Sequence, residues 1–325
     1  MIGHRDAESA FLEAWGAGRL HHAWLLAGPQ GMGKAAFAAR AARFLLTHGQ
    51  AGEGGAPLDF ADPGDAAAGR LFDAGNHPEI LTLSRAPKEK TKELARNITI
   101  DQVRQMIRRL HLSLSLGHWR VIIVDAVDDL ETDGANALLK TLEEPPAQTL
   151  FLLVSHSPGR LLPTIRSRCR MLRFQPVGRD VMQSWLHEMR PMLDLAEVRA
   201  IAGASGGVPG KALALIDSDV AAMEKKLLAI ATSGDPGNRL REALAREVGG
   251  TSNRERLELV IDIVPGLLTR IARERPLAEI APVLAQWERV QRTARDAIRG
   301  SYDGAMGGFE IGNCLAELAP REGAR

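Results

Sequence analysis

The chain has 325 residues, of which 45% are hydrophobic and 25% charged, with 41 basic against 40 acidic side chains. That length exceeds one ordinary compact unit, the balanced charge gives no global drive toward nucleic acid, and two cysteines, Cys169 and Cys314, exclude a disulfide framework and a tetrathiolate metal site. No apolar run approaches the roughly 20 residues that span a bilayer, and the N-terminal MIGHRDAESAF has no secretory apolar core, so neither a membrane partner nor export is expected and a cytoplasmic location is the default.

Strand-like apolar runs alternate with helical patterns through the first half, which predicts a mostly parallel α/β sheet. HAWLLAG (22–28) reads as a short buried strand. KAAFAARAARFLLTHG follows as a helix, with Phe37, Ala41, Phe44 and Leu45 at helical spacing and Gly49 as its stop. Residues 47–76 break the rhythm with Gly, Ala, Asp and Pro, a loop insertion with one short helix near 66–74. HPEILTLS (77–84) is the second strand. ITIDQVRQMIRRLHLSL is a helix with Ile100, Val103, Ile107 and Leu110 on one face. WRVIIVDAVDDL (119–130) is a strand ending in acid, ANALLKTLEEPP a helix stopped by Pro145 and Pro146, and TLFLLVSHS (149–157) another buried strand. These alternations predict a three-layer unit ending near Phe174.

From Arg179 onward the strand signals vanish. VMQSWLHEM, AEVRAIAGAS and KALALID predict a small helical segment, and a second helical block begins at about Val220. Within it Leu257, Ile261, Val264, Leu268 and Ile271 make one apolar stripe, with Pro265 expected to kink that helix. Leu277, Ile280, Leu284, Trp287, Ala294 and Ile298 make another.

Gly28, four intervening residues, Gly33 and Lys34 lie between a strand and a helix, the context of a phosphate-binding loop. Gly28, Gly31 and Gly33 free the backbone to turn N–H groups toward phosphate oxygens, and Lys34 is placed to reach the β- and γ-phosphates. The next residue should offer a hydroxyl to Mg²⁺, and Ala35 has none. Asp125 ends its strand where an acid would face that metal, but the following residue, which would orient the attacking water, is Ala126. Two functional atoms are missing from one site, which argues against hydrolysis.

RLHHAWLLAGPQGMGK, ANALLKTLEEPP and TIRSRC, in that order, resemble the AAA+ subunits of bacterial DNA-polymerase clamp loaders, over roughly Gly18 to Phe174 with a weaker helical tail. The resemblance implies an α/β AAA+ P-loop domain over 1–174, a small helical lid over 175–217 and an all-α collar over 218–325. The family's motor subunits, gamma and tau, keep Thr and Glu where Ala35 and Ala126 stand. The degenerate motifs therefore match its non-hydrolysing stator, which requires no cofactor and holds ATP or ADP, if at all, without turnover. Implied partners are the gamma/tau motors, the delta subunit and, through the assembly, the sliding clamp and primed DNA.

The same resemblance makes Arg168, in Ser167-Arg168-Cys169, an arginine finger directed at a neighbouring subunit's ATP, and Gly28, Gly31, Gly33, Lys34 and Asp125 a degenerate nucleotide site. Many members bind zinc through four cysteines in the insertion; this insertion has none, so no zinc and no other metal is expected. In GGVPGKALAL (206–215), Gly210 stands where motors place a sensor arginine, with Lys211 beside it. Arg104 and Arg108 are DNA-backbone contacts by resemblance, and a solvated helix face is an equally good reading. Two further readings stay open. One is a motor ATPase in which Asp128 replaces the missing glutamate; the other is a small-molecule P-loop kinase, for which the helical second half offers no acceptor site.

Overall fold

The computed structural model describes residues 2–49, 59–60, 65–87, 94–216, 218–249, 254–298 and 303–319. Part of the insertion reading, at residues 50–58 and 61–64, lies outside them. The chain divides into two compact units, Met1–Pro176 and Val177–Arg325.

The first unit runs α1 (Arg5–Gly16), β1 (Ala23–Ala27), α2 (Lys34–His48), α3 (Ala66–Asp73), β2 (Ile80–Ser84), α4 (Ile100–Leu110), β3 (Arg120–Asp125), α5 (Thr132–Glu143), β4 (Thr149–Ser155), α6 (Pro163–Ser167) and β5 (Arg170–Arg173). All strand pairs are parallel, in the order β2-β3-β4-β1-β5. Every residue of β1 and β4 is buried, as expected for inner strands covered on both faces.

Alternation of side chains across the sheet then builds two cores. Ala23, Leu25 and Ala27 of β1 join Val103, Met106 and Leu110 of α4 and Leu138 and Leu142 of α5 on one face. Trp24 points the other way, onto an aromatic layer in which Phe11 of α1 lies 5.4 Å from it and 6.3 Å from Phe37 of α2. Each such ring, removed from water, contributes about 1.5–3 kcal/mol. The result is helix, sheet and helix in three layers. α4 is fixed at its start by a capping box, in which Thr99 and Gln102 satisfy each other's backbone N–H groups.

A buried ion pair closes the far end of α4. The Arg120 guanidinium meets Glu79 at 2.7 Å, and its Nη1 donates to the carbonyls of Arg109, Leu110 and Leu112 at 3.0, 3.0 and 2.9 Å. Glu79 in turn accepts the Ser115 N–H at 2.6 Å. The pair thus satisfies the helix-end carbonyls that no helical N–H can reach.

The second unit is helical throughout: α7 (Arg179–Met189), α8 (Leu195–Ala204), α9 (Pro209–Leu215), α10 (Val220–Ser233), α11 (Arg239–Val248), α12 (Arg254–Glu274), α13 (Ile280–Ile298) and α14 (Gly304–Ala316). One apolar cluster runs from Met182 to Leu318, and the expected lid–collar boundary near 217 lies inside this unit. α12 passes through Pro265 as one element. Next to it, Gly266 lets α12 approach α8 so closely that a Cβ there would lie 2.7 Å from the Gly203 carbonyl oxygen.

The stripe read on α13 needs correction. Leu277 and Leu284 are 89% and 56% exposed and Trp287 is exposed, while Val283, Gln286, Val290, Thr293 and Ala294 form the buried face. Polar residues on that face concealed it from an apolar count. Gln286 is held there by donating to Glu317 at 2.8 Å, beside an Arg289 guanidinium that bridges Glu310 and Glu317 at 3.0 and 2.8 Å.

Candidate functional site

The glycine loop sits between the C-terminal end of β1 and the first turn of α2. Gly31 and Gly33 both have φ of 81°, the left-handed region where a side chain is strained. Gly28 is needed for space, because a Cβ there would collide with the Phe174 carbonyl oxygen. Lys34, the first residue of α2, is only 2% exposed. Its ammonium donates to the Gly28 carbonyl at 2.6 Å and to that of Pro29. Burial lowers Lys34 to about 8, with Asp128 and Asp125 opposing the shift.

Two acids act on this lysine, Asp128 and Asp125. Asp125 ends β3 half-buried, and the next side chain is the buried methyl of Ala126. Asp128 is committed to the end of β4: it accepts from Ser155 Oγ at 3.0 Å, the His156 N–H at 2.6 Å and the Ser157 N–H at 3.2 Å. His156, alongside, is held below its ordinary value by burial, with Lys34 adding to the effect. For a Mg²⁺-nucleotide the site offers the Asp125 carboxylate but no hydroxyl at Ala35, and Lys34 is bonded to the loop's own carbonyls.

The second cluster lies at the other end of the sheet. α6 is seated by Ile165, 1% exposed, and Cys169 packs against the same core. Burial pushes the Cys169 thiol up to about 12. Ser167 Oγ donates to the Thr164 carbonyl at 3.1 Å, closing the turn. Arg168 is thereby turned outward, its Nη2 2.8 Å from Glu143 Oε1 and its Nη1 2.9 Å from the Thr164 carbonyl. His22 Nε2, just before β1, donates to the Leu142 carbonyl at 3.1 Å and ties down the end of α5. Three runs distant in sequence, RLHHAW, LLKTLEEPP and SRC, therefore meet here.

Strand register separates the two clusters. β5 pairs Arg170 with Trp24 and Arg173 with Ala27, so Arg168 precedes the start of β1 while the glycine loop follows its end. The five residues of β1 put about 16 Å of strand between them. Arg168 cannot serve this chain's own loop.

Arg104 and Arg108 lie on the exposed face of α4, with Arg104 paired to Asp101 at 3.7 Å. Arg108 is in the last turn, where the helix dipole itself favours a cation. In the second unit Lys211 is engaged by Asp262 at 2.7 Å. Sequence reasoning missed His22, Thr164 and the pairing of Glu143 with Arg168; none of these is reported by a local pattern. Among the described residues no cluster of His, Cys, Asp or Glu could hold a metal ion, and no helix is long and apolar enough to cross a membrane.

A three-layer parallel sheet with a glycine-lysine loop after β1, followed by an all-helical unit, defines a P-loop protein of the AAA+ class. The family model described as "DNA polymerase III, delta subunit" matches residues 3–178. DNA polymerase III subunit delta' of Pseudomonas aeruginosa is 36% identical over 188 residues, covering 58% of this chain and 53% of the relative. Subunit delta' of Escherichia coli K12 is 37% identical over 203 residues, covering 62% and 57%. The chain belongs to the delta' family of DNA polymerase III subunits. It spans about half the length of the curated relatives it matches. Among solved structures, a gamma-subunit-related protein of Thermotoga maritima aligns over 97% of this chain and 99% of its own, at 16% identity and a TM-score of 0.48.

Proposed function

We propose that this chain is a non-hydrolysing, stator-like subunit of the DNA polymerase III clamp loader, acting in the cytoplasm. It helps to load the sliding clamp on primed DNA and supplies Arg168 to the ATP site of a neighbouring gamma/tau motor; delta is a further partner. The observation that carries the reading is the placement of Arg168 and the glycine loop beyond opposite ends of β1. A guanidinium held there can act on phosphate only if another chain brings it. In that role it neutralises charge developing on the γ-phosphoryl group, an effect of about 10³–10⁵ in rate in GTPases.

The loop's own chemistry supports the other half. Lys34 is bonded to loop carbonyls, Ala35 and Ala126 lack side-chain oxygens, and Asp128 already accepts from three donors. A motor reading would need Asp128 free to orient water. No cofactor is required, and the insertion has no cysteine to offer zinc. Contacts of Arg104 and Arg108 with the DNA backbone remain part of the proposal.

Steady-state ATP hydrolysis by the assembled loader with clamp and primed DNA tests this, comparing wild type with Arg168→Ala, alongside the isolated chain. A silent isolated chain and a fall of at least about tenfold in the Arg168→Ala assembly are expected. Turnover by the isolated chain that Lys34→Ala abolishes would establish a motor instead.

A further inference from the structure

The acidic pair of LLKTLEEPP has no part in the reading so far. Glu143 occupies the last turn of α5, where the negative end of the helix dipole disfavours a carboxylate. Helix stability therefore does not account for it. Its carboxylate meets the Arg168 guanidinium at 2.8 Å, and Thr164 provides a second tie through its carbonyl at 2.9 Å. Both ties stand on fixed ground. Leu142, beside Glu143, is 1% exposed with its carbonyl bonded to His22, and Ile165, beside Thr164, is equally buried. A guanidinium carries five N–H donors in one plane. Two anchored on separate elements define that plane; with Nη1 also donating to Ser167 Oγ at 3.5 Å, two donors remain for an incoming acceptor.

We propose that Glu143 is a positioning residue for Arg168. It holds the guanidinium ready, so that the two remaining donors meet the anionic γ-phosphoryl oxygens of a nucleoside triphosphate bound by the neighbouring chain. This rests on the finger reading above. An arginine without such ties samples many rotamers, and ordering them on arrival weakens each hydrogen bond it forms. Because the Arg168 and Glu143 side chains are 35% and 44% exposed, the benefit is that of a partly screened pair, about two- to fivefold in rate.

The test is ATP hydrolysis by the loader assembled with each variant, in the presence of clamp and primed DNA. Glu143→Ala is expected to lower kcat about two- to fivefold with KM for ATP unchanged. Glu143→Gln keeps an acceptor oxygen and should recover most of the loss. In an Arg168→Ala background Glu143→Ala should change nothing further. If the alanine variant does not fold, Glu143→Asp, one methylene too short to reach, carries the same expected loss. Should Arg168→Ala slow the assembly while Glu143→Ala runs at or above the wild-type rate, the finger stands and the positioning role is overturned. Should Arg168→Ala have no effect, both fall.

Discussion

Replacing Arg120 by Met removes the charge that balances Glu79 while keeping most of the side-chain volume. The Arg120 side chain is 7% exposed and that of Glu79 1%, so the carboxylate left behind has little water to turn to. Breaking one partner from a buried pair costs about 3–5 kcal/mol. The carbonyls of Arg109, Leu110, Leu112 and Ser113 lose their donor as well, although Leu112 and Ser113 lie on an exposed loop where water can replace it. The total is a large part of the roughly 5–15 kcal/mol that holds a domain folded. Amide hydrogen exchange of β2 and β3 in urea reads the first unit without interference from the helical one. Adding Glu79→Gln removes the stranded charge, so the double variant should recover about 1–3 kcal/mol relative to Arg120→Met alone. A single-variant cost below about 1 kcal/mol, or a double variant no better than the single, would refute this account of how α4 is closed.

Three other outcomes follow from the loop and its surroundings. Lys34 is lowered to about 8 from an ordinary 10.5, so the unfolded chain binds the extra proton between those values, and wild type should gain stability relative to Lys34→Met as pH rises through that window; urea midpoints of the two chains across it check the sign. Asp128→Ala strands Ser155 Oγ and the N–H groups of His156 and Ser157, and should cost about 1–3 kcal/mol in a thermal or urea melt. An Asp128→Asn chain that loses turnover without losing stability would instead mark Asp128 as a working base. Gly28→Ala drives a methyl into the Phe174 carbonyl oxygen and should destabilise by about 1–3 kcal/mol, whereas Gly159→Ala, which meets nothing, should melt with wild type.

The inner strands were legible because a strand buried on both faces is a continuous apolar run, as in AWLLA and TLFLLVS. β5 was not. RMLR lies at the sheet edge, paired only to β1, and its two arginines face outward, so no apolar run announces it. α1 carried its own signal, Phe11, Leu12 and Trp15 at helical spacing, within a terminus read only for targeting. The glycine loop and its missing oxygens could be read directly, since that chemistry is contiguous. The ties on Arg168 could not: Glu143 and His22 reach it through α5 and β1, a connection set by strand order. Glu79 and Arg120 are similarly distant in sequence, and a charge inside a strand reads as surface until its partner is seen.

A parallel sheet gives every subunit built on it a head and a tail. On the proposed finger reading, with the glycine loop beyond one end of β1 and Arg168 beyond the other, a file of such subunits closes each loop with the arginine of its neighbour and has one free arginine and one open loop at its limits. On the same reading, a member whose lysine is bonded to its own loop carbonyls gives an arginine and takes none. Such a member belongs at one limit of the file and fixes the direction in which the others are counted.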